Sequence, residues 1–139
     1  MKPVLITAGA TRNPIDSMRY ISAHASGRTG ASLATALAAS TSVHALCSPE
    51  ARTRMPNGVT TELYESTHDL CVRMKRWVRA NPTGVIIHSA AVGDYEVSQP
   101  SDGAKIPSGQ SEIVLHLKPT PKILDQIGKW SDAAQIVSF

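Results

Sequence analysis

The sequence predicts an α/β chain with a Rossmann-like, three-layer fold: a mostly parallel sheet between helices, and a long flap loop near 93–111. Short β-branched apolar runs alternate with helix-period segments along the chain, the pattern of βαβ units. The run GVIIHSAAV (84–92) is apolar almost throughout, as a strand buried on both faces must be. The 93–111 stretch is rich in Gly, Pro and Ser and too long for a plain connection, which favours a functional flap.

The elements follow in order. PVLITAG (3–9) reads as a buried strand ending at a glycine. TGASLATALAAS (29–40) is helical by propensity, with Leu33 and Leu37 on one face and Ala31, Ala34 and Ala38 allowing close approach to a sheet. SVHALCS (42–48) and VTTELYES (59–66) are the next strands. A helix over 67–80 places Leu70, Met74, Trp77 and Val78 on one face, and Ser66–Asp69 has the form of a capping box. After 84–92, EIVLHLKP (112–119) reads as a strand. TPKILDQIGKW (120–130) reads as a helix with Thr120 at the N-cap and Pro121 at its first position. AQIVSF (134–139) is the last strand. In such sheets ligands bind beyond the carboxyl ends of the strands, so 9–30, 88–107 and 118–122 share one rim.

Composition narrows the function. With 139 residues and 42% hydrophobic content the chain is expected to be one soluble globular domain; six aromatic residues leave the core to aliphatic packing. A formal charge of +3 suits an anionic small molecule, while the scattered basic residues lack the aromatic interleaving of a nucleic-acid platform. No stretch has the length to cross a bilayer, and the apolar run after MKP is too short for a secretory signal. Cys47 and Cys71 form no metal-type pair, and the five histidines never fall at i, i+4, so no metal site is expected and the cytoplasm is the expected compartment.

SGRTG (26–30) runs straight into a helix. Its amides then face outward at the positive helix end, where Arg19 and Arg28 can add charge-assisted bonds to a phosphate; a plain Ser26-capped turn is the other reading. Gly9 and Gly27 are too far apart for a dinucleotide fingerprint, and none of Tyr20, Tyr64 or Tyr95 has the lysine four places on that a short-chain dehydrogenase uses. No Gly-x-Ser-x-Gly elbow occurs. In HSAAVGDYEV (88–97) two alanines leave room for a flat ring, and Asp94 can accept from an amino group, help hold a metal carried by a triphosphate, or cap the next turn. Lys105 in GAKIPSG can swing towards a phosphate, and KPTPK (118–122) offers a second helix start flanked by lysines.

In order, VLITAGATRNPIDSMRYISAHASGRTG, HSAAVGDYEV, AKI, LKPTPKIL and VSF resemble the phosphopantothenate–cysteine ligase family nearly end to end. That family is often the C-terminal half of the bifunctional coenzyme A biosynthesis flavoprotein. The resemblance implies a cytoplasmic homodimer that activates the carboxylate of 4′-phosphopantothenate with CTP, or ATP in eukaryotic relatives, with Mg²⁺ carried by the nucleotide. The amine of cysteine then attacks the acyl-nucleotide. The resemblance places Ser89, Ala90 and Asp94 on the base and ribose side, and Pro121, Lys122, Ile123 and Leu124 in a second nucleotide loop. Phe139 falls beside the nucleotide, and Lys105 corresponds to the flap lysine near the reacting phosphate. Arg19, Ala23, Ser26 and Gly27 belong to the intermediate-binding loop, so Lys105 and Arg19 are the catalytic candidates. Flavin belongs to the family's other, decarboxylase domain.

The chain departs from the family in four places. Ala23 stands where the family has an asparagine that holds the acyl-nucleotide, and such a donor is worth ~10²–10³ in turnover. Ile106, Pro107 and Ser108 replace a lysine-rich flap, and Thr120 replaces an asparagine. The family sequence also runs past VSF into a last strand and helix with further lysines, so the expectation is a single domain over 1–139 lacking that C-terminal segment. A non-catalytic nucleotide- or phosphate-binding relative, or a truncated piece, is the competing reading.

Overall fold

The computed structural model describes residues 1–100 and 103–139. The first strand, β1 (Val4–Ala8), is buried along its whole length. A short antiparallel ribbon follows, β2 (Arg12–Pro14) with β3 (Tyr20–Ser22), and then α1 (Arg28–Leu37). Next come β4 (Val43–Cys47), the single turn α2 (Pro49–Arg52), β5 (Thr60–Leu63) and α3 (Thr67–Ala80). The remainder comprises β6 (Val85–His88), β7 (Tyr95–Val97), β8 (Leu117–Pro119), α4 (Ile123–Trp130) and β9 (Gln135–Ser138).

Five strands form one parallel sheet in the order β5-β4-β1-β6-β9. The register pairs Val4 with Val43 on one side and Val85 on the other. Alternation along β1 sends Leu5 to one face and Val4 and Ile6 to the other. Leu5 joins Leu46, Tyr64, Leu70, Met74, Ile86 and Ile127 under α3 and α4, while Val4, Ile6 and Val43 pack beneath Ala34 of α1. The result is the three-layer α/β architecture expected from the alternating pattern. Among the described residues no helix is long and apolar enough to cross a membrane.

The helix starts show which local signals prevailed. Ser66 caps α3 by accepting Asp69 N–H at 3.1 Å, and the Asp69 carboxylate reaches back to Glu65 N–H at 3.0 Å, a box displaced by one residue. Gly27, at φ 76°, is the N-cap of α1, and Ser26 Oγ sits only loosely on Arg28 N–H at 3.4 Å. Gly30 faces β1 so closely that a Cβ would lie 2.4 Å from Ala8 Cβ, which is why α1 can lie against the sheet there.

Two expectations are corrected. The strand expected over 112–119 shrinks to Leu117–Pro119, pairs antiparallel with β7 and lies outside the main sheet, because β9 takes the place beside β6. The last helix starts at Ile123 with Lys122 at its N-cap, not at Pro121 behind Thr120. Thr120 cannot cap it: the residue is buried, and its hydroxyl donates to Gly93 O at 2.7 Å.

Candidate functional site

The chain runs from β1 outward to β4 on one side and returns to β6 on the other, so the carboxyl ends of β1 and β6 flank the switch point of the sheet. Beyond those ends the two loops zip together: Ala91 N–H donates to Gly9 O at 2.8 Å and Thr11 N–H to Ala91 O at 3.1 Å. Buried side chains brace the 91–95 loop from below. Thr11 Oγ1 accepts Gly93 N–H at 2.8 Å, and Asn13 Nδ2 donates to Tyr95 O at 3.0 Å while its Oδ1 accepts Thr67 N–H at 2.9 Å. With Thr67 and Thr120 added, whose hydroxyls both donate to Gly93 O, the loop carrying Asp94 is held by residues from three separate segments. Satisfied buried networks of this kind fix a backbone in one place.

Against that loop lies a cavity of about 470 Å³. His88, Thr120 and Ile123 are its buried floor. Ala90, Val92 and Pro121 form its walls, with Asp94, Lys122, Leu124 and Phe139 at the mouth. Of the residues singled out in the sequence, Ala90, Asp94, Pro121, Lys122, Ile123, Leu124 and Phe139 therefore meet around one space. Lys122 Nζ lies 2.5 Å from Asp94 Oδ1, and that contact holds the ammonium above its ordinary pKa. Both groups are exposed at the mouth, so the pair contributes little to stability and is available to a ligand.

Other candidates lie elsewhere. Ser89 does not line the cavity; its hydroxyl donates to Thr7 O at 2.6 Å. Ser26 and Gly27 stand at the start of α1. Ala23 lines a second, more polar cavity of about 280 Å³ with Arg12, Tyr20, Ser22, Ser48 and Glu50, where the Arg12 guanidinium sits 5.0 Å from the Tyr20 ring centroid. Lys105 is exposed in the flap.

One residue ties the flap to the loop before β3, and sequence reasoning missed it. The Asp16 carboxylate accepts Ile106 N–H at 2.9 Å, Met18 and Arg19 N–H at 2.8 Å each, and Arg19 Nη1 at 2.5 Å. These donors, Ile106 first, hold it far below the usual carboxylate range against the opposing effect of burial. Of the two catalytic candidates, Arg19 itself and the backbone next to Lys105 are thus held by one anion. The N-P-I-D spacing announces a turn, but nothing local announces a partner ninety residues away.

The chain matches the family of DNA/pantothenate metabolism flavoprotein C-terminal domains over residues 1–139. It is 32% identical over 139 residues to the coenzyme A biosynthesis bifunctional protein CoaBC of Thermococcus kodakarensis, covering 99% of this chain and 34% of that protein. The chain therefore spans about a third of the length of that curated relative. Its fold superposes on the DNA/pantothenate metabolism flavoprotein of Streptococcus pneumoniae with a TM-score of 0.82 at 28% identity, covering 98% of this chain and 68% of the other. The C-terminal domain of a CoaBC protein matches with a TM-score of 0.78 at 29% identity, covering 97% and 62% respectively.

Proposed function

Because the chain belongs to the DNA/pantothenate metabolism flavoprotein C-terminal domain family, we propose that it ligates 4′-phosphopantothenate to cysteine in coenzyme A biosynthesis, with CTP as co-substrate. The observation that carries this reading is the 470 Å³ cavity at the switch point, which gathers slim walls for a flat base and a lysine–aspartate pair at its mouth.

In the proposed reaction the substrate carboxylate attacks the α-phosphorus of CTP, forming an acyl–phosphate bond as the bond to pyrophosphate breaks. The cysteine amine then attacks the acyl carbon, the amide forms with loss of a proton, and CMP leaves. This chain's residues bind and orient. Ala90 and Val92 leave the base room to lie flat, and Phe139, held beside β6 by its N–H to His88 O at 3.4 Å, stands at the mouth to cover it. Lys122, raised in pKa by Asp94, remains an ammonium at any working pH. Lys105 and Arg19 offset the charge that develops on phosphate and carboxylate oxygens. Mg²⁺ enters as part of the nucleotide.

The test is calorimetric titration of CTP, then ATP, each with magnesium. Saturable binding is expected, weakened ~10-fold by Lys105→Ala, the usual worth of one charge-assisted contact. No binding of either nucleotide would sink the proposal. A second reading, a binding protein without the chemistry, is favoured by Ala23, which brings no side-chain donor to the second cavity.

We also propose a cytoplasmic homodimer. Ile113, Val114, Leu115 and Leu117 are exposed together beside a groove of about 420 Å³ lined by Val97, and a second copy would cover them. Light scattering should give twice the chain mass, and a monomer at micromolar concentration would refute the dimer.

A further inference from the structure

The floor of the 470 Å³ cavity carries a histidine that the nucleotide reading does not use. His88 ends β6, is 6% exposed, and its Nδ1 lies 2.7 Å from Thr7 Oγ1. Thr7 is fully buried, and its Oγ1 already accepts Ala90 N–H at 3.2 Å.

A hydroxyl has one hydrogen to give and two lone pairs. If Nδ1 carried the ring proton, Thr7 Oγ1 would accept twice and its own hydrogen would be left in a sealed interior with no acceptor. If Nδ1 is bare, the hydroxyl donates to it and every group is satisfied. The arrangement therefore selects the tautomer protonated at Nε2. Burial pushes the imidazole down to about 4, so the ring is neutral near pH 7 and Nε2 serves only as a donor.

The direction of that donor follows from what is sealed. Among the described residues the one fully enclosed side-chain polar atom without a hydrogen bond is His44 Nε2. His88 Nε2 thus opens on accessible space, and the space His88 lines is this cavity. Its floor neighbours offer no competing donor: the Thr120 hydroxyl is spent on Gly93 O, and Ile123 is apolar.

We propose that His88 presents a single fixed N–H donor at the floor of the cavity and selects ring ligands whose buried edge carries a hydrogen-bond acceptor. A pyrimidine leading with its carbonyl and ring nitrogen fits; a ring leading with an amino group sets donor against donor. The proposal rests on the nucleotide reading of the same cavity and adds to it the residue that reads the base.

Long-range ¹H–¹⁵N NMR of the protein tests the tautomer directly: His88 is expected protonated at Nε2, and protonation at Nδ1 would overturn the proposal. Adding CTP with magnesium should shift the Nε2 resonance, and an unshifted signal with CTP bound would also overturn it. In calorimetry His88→Gln, which restores an N–H near the same place, should hold CTP within ~3-fold of the parent, while His88→Phe should weaken it ~10-fold. A folded His88→Phe variant that binds like the parent removes the proposal and leaves the nucleotide reading intact. A parent chain that binds neither CTP nor ATP removes both.

Discussion

Replacing Gly9 by alanine is expected to lower the unfolding free energy by ~3–6 kcal/mol, out of a total that for a domain of this size is ~5–15 kcal/mol. Gly9 has φ 90°, and its missing Cβ would lie 2.0 Å from Ser48 Oγ, 2.7 Å from Ser48 Cβ and 3.0 Å from Ala51 Cβ. Three costs combine. A left-handed conformation costs a side-chain-bearing residue ~1–2 kcal/mol. Driving Ser48 aside loses its cap on α2, where Oγ accepts Ala51 N–H at 3.2 Å, for ~1 kcal/mol. Overpacking a filled interior adds ~1–3 kcal/mol. Urea unfolding gives the number, and Gly58→Ala provides the control. Gly58 has φ 87° with nothing within 4 Å of the added carbon, so it bears the conformational cost alone. Equal losses in the two variants would show that the contact with Ser48 costs nothing.

On the proposed ligase reading, Ala23→Asn is expected to raise turnover by ~10²–10³, the usual worth of one preorganised donor to developing charge. Two observations combine here. The resemblance in RYISAHASG puts an asparagine at this position in the family, and the structure leaves Ala23 exposed on the wall of the 280 Å³ cavity, with space for a longer side chain. The gain should fall on kcat rather than KM, because the donor acts on charge that develops during reaction. Turnover measured with saturating CTP, 4′-phosphopantothenate and cysteine decides it. An unchanged rate would mean that Ala23 is not the limiting feature, and the non-catalytic reading would gain.

What could be read in advance divides along a physical line. The parallel strands were legible because burial on both faces demands continuous apolar runs, as in GVIIH, and α3 was legible because four large apolar residues and a serine cap announce it within fourteen positions. The ribbon of β2 and β3 was not, because three-residue strands are too short to show an alternation, and the β7–β8 pair and the true start of α4 were not, because each depends on partners twenty or more positions away. Thr120 shows the competition: its local preference is to cap, yet Gly93 O claims its hydroxyl. The cavity residues Ala90, Asp94 and Lys122 were marked first by local chemistry, as small residues and a carboxylate after an apolar run and a lysine at a helix start, and then joined into one site by motif resemblance. Asp16 and the Thr7–His88 pair were not found, since contacts spanning ninety and eighty-one positions leave no mark in a single sequence.

The tie between Asp16 and Ile106 bears on how far Lys105 can travel. Ile106 lies about midway between the end of β7 and the start of β8. By chain statistics the excursion of a connection grows as the square root of its free length, so a pin near the middle restrains most the residues beside it. Lys105 is the immediate neighbour of that pin. Its reach is therefore that of one lysine side chain from a backbone point fixed at Asp16, not that of the loop that carries it.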